Sequence, residues 1–276
     1  MKRRAFLQTS ALASTALFTP LFLQAESQQQ NSPTRAGKIL IVLQLSGGND
    51  GLNTIIPHGN DVYYQQRPSL SIPQQEVIKL TDELGLHPAL TSLRELYDAG
   101  ELSIVNSVGY PNPDRSHFRS MDIWQSGSGA EATWHTGWLG RYLDHACAGK
   151  PAYHALEVDD GLSLAMKGKT TNGFAMSDAR RLRQMLRNQR LHELQPSANQ
   201  ANGNLNYLYK TLTTTAASAE YLFEQSQTHQ SKSSYPKHAF GRDLKQISEL
   251  ITADTATQIY YASLGGFDTH AGQKNR

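Results

Sequence analysis

Cysteine is almost missing: Cys147 is the only one in 276 residues. A lone thiol excludes an intramolecular disulfide framework and any Cys-rich zinc or iron–sulfur centre. Charge of one sign is also missing, with 26 Lys and Arg against 24 Asp and Glu. A nucleic-acid protein needs a basic face, so no nucleic-acid partner is expected. The longest apolar stretch near the N-terminus, residues 11–23, is broken by Ser14, Thr15, Thr19 and Pro20. It is shorter and more polar than the span of about 20 residues that crosses a bilayer, so no stable membrane anchor is expected. Several catalytic signatures are absent. There is no Gly-x-x-x-x-Gly-Lys-Ser/Thr and no His-Glu-x-x-His. Gly127-Ser128-Gly129 is only a fragment of a nucleophile elbow and lacks the strand such an elbow needs.

What is present is a composition of 38% apolar and 18% charged residues, ordinary for a soluble globular chain of one large or two small domains. Ten histidines leave His/Asp/Glu metal chemistry open. The first 25 residues read as an export leader. Lys2, Arg3 and Arg4 precede Phe6-Leu7 and then the moderately apolar core. Arg-Arg-x-Phe-Leu before a weakly hydrophobic core is the pattern of a twin-arginine signal, with cleavage after Ala25. Without the leader, 23 basic residues stand against 24 acidic ones. The expected partner in export is the twin-arginine translocase, and the expected destination is the periplasm or the exterior. Residues 26–37, rich in Gln, Ser and Asn at their start, read as a disordered spacer, and residues 38–276 as one α/β domain.

Residues 38–45 (Lys-Ile-Leu-Ile-Val-Leu-Gln-Leu) form a near-continuous apolar run, which predicts a strand buried on both faces. Leu86, Leu90, Leu93 and Tyr97 fall at helical spacing, with Gly100 as the stop. Residues 102–108 (Leu-Ser-Ile-Val-Asn-Ser-Val) predict a second strand, residues 152–158 a third and residues 257–264 a late one. Leu182, Met185 and Leu186, continuing toward Leu194, mark one amphipathic helix, and Phe240, Leu244, Ile247 and Ile251 another. Residues 195–206 and 225–234 read as polar loops or exposed helix turns. Helices alternating with buried strands predict an α/β class with a mainly parallel sheet.

Ligands of an open parallel sheet bind beyond the carboxyl ends of its strands. Three polar clusters follow predicted strands: Gly47-Gly48-Asn49-Asp50-Gly51, the stretch from Asn112 to Arg119, and Gly265-Gly266-Phe267-Asp268-Thr269-His270. Glycines let backbone approach a ligand, and carboxylate with imidazole suits a hard or borderline divalent ion. Each cluster also has a plainer reading. Asn-Asp-Gly is a turn sequence, Asp114 and Ser116 are helix caps, and a lone Asp-x-His is more often structural. His87, before Pro88, reads as a cap or packing residue. Trp124, Trp134 and Trp138 could edge a core or form a substrate wall.

Taken together these stretches resemble a bacterial family of exported proteins, domain-of-unknown-function family 1501. The resemblance rests on the leader, on residues 43–54 (Leu-Gln-Leu-Ser-Gly-Gly-Asn-Asp-Gly-Leu-Asn-Thr) and on residues 86–90 (Leu-His-Pro-Ala-Leu). It rests too on residues 116–127, 137–142 and 265–270. That family is similar to the alkaline phosphatase and sulfatase superfamily. The resemblance implies a three-layer α/β/α sandwich and hydrolysis of phosphate or sulfate esters at a one- or two-metal site, the divalent ion being zinc, calcium or magnesium. It implies Asp50, Asp268 and His270 as metal ligands, with Ser116 or His117 handling the attack or the proton. Arg119 would orient an anionic oxygen. Family members continue well past the Asp268–His270 motif, so an incomplete, C-terminally truncated copy is expected. The alternative function is a non-catalytic periplasmic protein of the same fold that binds a polysaccharide or a partner protein.

Overall fold

A computed structural model describes residues 37–186, 203–270 and Gln273, with the side chains of residues 203–210 left aside. The leader, residues 26–36, the expected helix extension to Leu194 and most of the stretch 195–206 lie outside the described residues. The fold is α/β. The chain divides into two compact units, one containing Gln44 with Phe118–Ser263 and the other Leu45–His117 with the segment from Leu264 onward.

The first unit holds a four-stranded sheet of β1 (Leu40–Leu45), β5 (Ala155–Glu157), β6 (Phe174–Ala175) and β7 (Ile259–Leu264), in the order β1-β7-β5-β6. Strand β5 pairs in parallel with both of its neighbours, placing Leu156 opposite Tyr260 and Phe174, and Glu157 opposite Tyr261. Alternate residues of a strand face opposite sides, and here the two sides carry different cores. Leu156, Tyr260 and Ala262 join Leu222, Ile247 and Leu250. Ala155, Ile259 and Tyr261 join Leu139, Leu143, Cys147 and Met166. The first face is covered by α6 (Ala179–Leu186), α7 (Gly203–Thr228) and α8 (Ala239–Thr252), the second by α5 (Trp138–Ala146). Helices therefore lie on both faces of the sheet, the three-layer arrangement expected of this class.

The remaining elements of this unit are α4 (His117–Ser126), whose first residue falls in the second unit, and two 3₁₀ turns, Ala152–His154 and Leu164–Met166. Arg183 of α6 grips Glu220 of α7 through two hydrogen bonds of 2.6 and 2.7 Å and stacks over Phe223 at 4.1 Å.

The second unit carries a three-stranded antiparallel sheet of β2 (Ile55–Ile56), β3 (Ile78–Lys79) and β4 (Gly85–Leu86), in the order β2-β4-β3. It also holds α1 (Gly51–Thr54), α2 (Asp61–Gln66) and α3 (Thr91–Asp98). Ile56, Tyr63 and Val77 form its core. The expected helix stop holds at Gly100, whose N–H bonds the Tyr97 carbonyl with φ at +74°. The helix itself starts at Thr91, because Leu86 is used in β4.

Two strand expectations need correction. Residues 102–108 form no strand: Ser107 sits at φ +59°, which breaks an extended run, and Val105 and Val108 are exposed. The Asn112–Arg119 cluster therefore does not follow a strand. β1 is also not buried on both faces. It lies at the sheet edge with alternating burial, and Ile41, Leu43 and Leu45 are exposed. A continuous apolar run describes the side chains alone: Leu40 and Val42 pack on the α5-side core, while Ile41, Leu43 and Leu45, on the opposite face, stay exposed. No helix among the described residues is long and apolar enough to cross a membrane.

Candidate metal centre

The second unit brings together the loops that follow β1 and β7. Ser46 N–H donates to the Leu264 carbonyl at 2.8 Å, aligning the two chain segments where they leave their strands. Gly47 and Gly48 both take positive φ, +100° and +85°. A Cβ on Gly47 would stand 3.2 Å from Asp268 N, and one on Gly48 only 2.6 Å from His117 Cε1. The two glycines thus serve twice. They permit a backbone path that L side chains rarely adopt, and they leave room for Asp268 and His117 to lie against it.

Over that loop, His117, Asp268 and His270 converge, each offering one ligand atom within 4.8 Å of the other two. His117 Nε2 is 3.4 Å from Asp268 Oδ1, and His270 Nε2 is 2.9 Å from the same oxygen. The imidazole rings meet edge to face, with centroids 6.3 Å apart. Two ligand atoms on a tetrahedral ion bound at about 2.0–2.1 Å stand roughly 3.3 Å apart; the His117–Asp268 pair matches that spacing, and the His270–Asp268 pair is closer, at direct ion-pair distance. Two imidazoles and one carboxylate also match the donor chemistry of a borderline divalent ion. The group is open to solvent, with side-chain exposures of 43%, 47% and 83% for His117, Asp268 and His270.

Asp50 is not in this group of three. Its Oδ2 accepts hydrogen bonds from Arg67 Nη2 and from Gln273 Nε2, the latter at 2.8 Å. Ser116 is exposed beside His117, with its N–H donating to Asp114 Oδ1 at 2.7 Å, the local turn that its sequence suggests. Arg119 lies in the first unit, where its Nη2 holds the carbonyls of Ala130 and Ala132, both at 2.8 Å. His87 acts locally, its Nδ1 accepting from Ala89 N–H. Trp138 packs on the α5-side core, whereas Trp134 is half exposed beneath the Arg141 guanidinium, 4.9 Å from its ring centre.

Sequence reasoning missed a buried polar group in the first unit. Glu157, at the end of β5, is 3% exposed, with Ser163 N–H bonding its Oε2 at 2.8 Å. Burial pushes this carboxyl up to about 7, against the pull of Ser163. Tyr261, its neighbour in register, bonds Gln44 Oε1, which also accepts from Gln125 Nε2 at 3.0 Å. Burial and the adjacent Glu157 push the Tyr261 phenol up to about 12. The available signal was a charged residue inside the apolar run Ala155-Leu156-Glu157-Val158.

No family model, curated protein or solved structure matches the chain.

Proposed function

We propose that the protein is exported by the twin-arginine route and acts as a metal-dependent hydrolase of small phosphate or sulfate esters, with the fold of the alkaline phosphatase and sulfatase superfamily. His117, Asp268 and His270 hold the divalent ion. The observation that carries this reading is the meeting of two imidazoles and a carboxylate, from distant stretches of the chain, on one glycine-lined loop. Three protein ligands with open access are what a catalytic zinc site takes. A divalent ion held by these residues would supply Lewis acidity toward an ester oxygen and toward a water or hydroxyl nucleophile. Ser116, exposed and next to His117, offers that hydroxyl. Asp268 Oδ1, 3.4 Å from His117 Nε2 and 2.9 Å from His270 Nε2, would be the third ligand atom. Arg119 braces the turn at Ala130–Ala132.

The test is zinc content and hydrolysis of p-nitrophenyl phosphate and p-nitrophenyl sulfate by chelator-stripped, zinc-reloaded protein. Wild type should hydrolyse one of them only after reloading, and Asp268→Ala should lose both zinc and turnover. Unchanged zinc loading in Asp268→Ala would remove the centre. A second reading, non-catalytic binding of a polysaccharide or partner protein, is favoured by the exposed aromatic rings of Phe118 and Trp124 on α4. Glycan affinity retained in metal-free protein, without hydrolysis, would decide for it.

A further inference from the structure

We propose that the loop of residues 127–136 holds Trp134 as a stacking platform for a saccharide, a neutral hexopyranose ring of the β-linked glucose or N-acetylglucosamine kind. The site lies in the first unit and goes beyond the hydrolase reading, since it needs no metal. A singly exposed aromatic is ordinary on a protein surface. Two features set this one apart: the bracing of the loop that carries it, and the cation that occupies one face of its ring.

The loop forms no helix or strand, yet its backbone is held along its length. Arg119 Nη2 donates to the carbonyls of Ala130 and Ala132, both at 2.8 Å. Buried Ser128 donates its hydroxyl to the Ala132 carbonyl at 3.1 Å and its N–H to Ser126 Oγ at 3.2 Å. Arg141 reaches back from α5 to the Thr136 carbonyl at 2.8 Å and to the Ser126 carbonyl, at the end of α4, at 2.7 Å. Gly137 N–H fixes the exit on the Lys167 carbonyl at 2.8 Å. Two guanidinium groups thus brace one surface loop. Order that is already present does not have to be created when a ligand arrives.

Arg141 also stacks over the Trp134 ring, its guanidinium carbon 4.9 Å from the centroid. Among the described residues no carboxylate pairs with Arg141, and burial pushes its pKa down. Trp134 is 43% exposed, so the ring surface away from Arg141 meets solvent. A cation on one face of an indole disfavours a second cation on the other, which argues for a neutral ligand. A hexopyranose with equatorial hydroxyls carries C–H groups on its faces and hydroxyls at its rim. The face suits the flat indole. The rim suits the loop's exposed polar side chains Glu131, Thr133 and His135, which can donate to or accept from hydroxyls.

The experiment is isothermal titration of the full-length chain with cellohexaose and with hexa-N-acetylchitohexaose, first chelator-stripped and again after zinc reloading, with thermal melts to confirm folding of each variant. Wild type should bind one of the two, with affinities within about threefold of each other in the two metal states. Trp134→Ala should weaken that binding about tenfold or more, while Trp134→Phe, which keeps a flat ring, should stay within about threefold of wild type. No binding of either hexamer by wild type, binding that survives Trp134→Ala, or a loss in Trp134→Phe matching that in Trp134→Ala overturns the platform and leaves the metal centre standing. Binding that appears only after zinc reloading puts the saccharide at the metal centre and overturns this site. A chain that takes the saccharide through Trp134 but takes no zinc supports this inference and removes the hydrolase reading.

Discussion

Replacing Glu157 with Gln should change the pH dependence of stability in a way that can be worked out in advance. The carboxyl lies at the end of β5, 3% exposed, with Ser163 N–H on its Oε2. Burial is the largest influence on it and Ser163 opposes that influence. Asp159 raises it further and Lys167 pulls it down, leaving it at about 7 against an ordinary 4.5. Between those two values the unfolded chain has released the proton while the folded chain still holds it. The folded state then binds more protons, so stability falls as pH rises from 4.5 through 7 and levels off above. At 1.36 kcal/mol per pH unit the full effect is about 3 kcal/mol.

Glutamine keeps an acceptor for Ser163 and has no proton to lose. Any packing difference between the variant and wild type is fixed across pH, so the variant's relative stability should grow by about 3 kcal/mol between pH 4.5 and pH 8.5, or roughly 5–10 °C in Tm. The buried imidazole of His154 is pushed down from 6.5 by burial, despite its bond to the Ala256 carbonyl. It should cost both proteins stability as pH falls below 6.5, and this common loss cancels in the difference. Urea melts at half-unit pH steps give the measurement. A difference between variant and wild type that stays flat across the range refutes the argument.

Asp144→Ala should destabilise the first unit by about 2 kcal/mol in urea melts, because three backbone N–H groups (Lys169, Thr170, Thr171) and the Thr170 hydroxyl lose their acceptor. Burial alone would raise this carboxyl, but those four hydrogen bonds hold it below 3.8, so its contribution is present above that value and is lost as pH falls through its lowered folded value. Gly48→Ala places a Cβ 2.6 Å from His117 Cε1 at a φ of +85°. It should cost about 1–3 kcal/mol of stability and weaken Zn²⁺ binding at least tenfold, both read by titration and melting. Arg3→Lys with Arg4→Lys should retain the full-length precursor inside the cell, scored by fractionation, and equal export of the variant would remove the twin-arginine reading.

The residues themselves already carried a good part of this protein. Period and punctuation placed the helix that ends at Gly100, the helix Ala239–Thr252 and the strand Ile259–Leu264, since apolar spacing and a glycine stop act within a few residues of chain. The Gly-Gly turn after β1 and the Asp268-x-His270 pair were legible for the same reason. Other features were not local. The 26-residue helix Gly203–Thr228 went unseen because Thr, Ser and Ala fill much of its interior and blur any apolar stripe, so packing on the sheet gives it its place. Residues 102–108 have the composition of a strand, but a strand exists only where a second one pairs with it. Ile41 and Leu43 look buried in the sequence, but the packing covers only the opposite face of β1, where Leu40 and Val42 lie.

The centre divides in the same way. Sequence and resemblance name Asp50, Asp268 and His270 as cation ligands and leave His117 the attack or the proton instead. Only the tertiary structure decided that His117 joins Asp268 and His270 while Asp50 turns to an arginine 17 residues further on. Residue type sets what a side chain can bind, and the approach of distant chain segments sets which partner reaches it first.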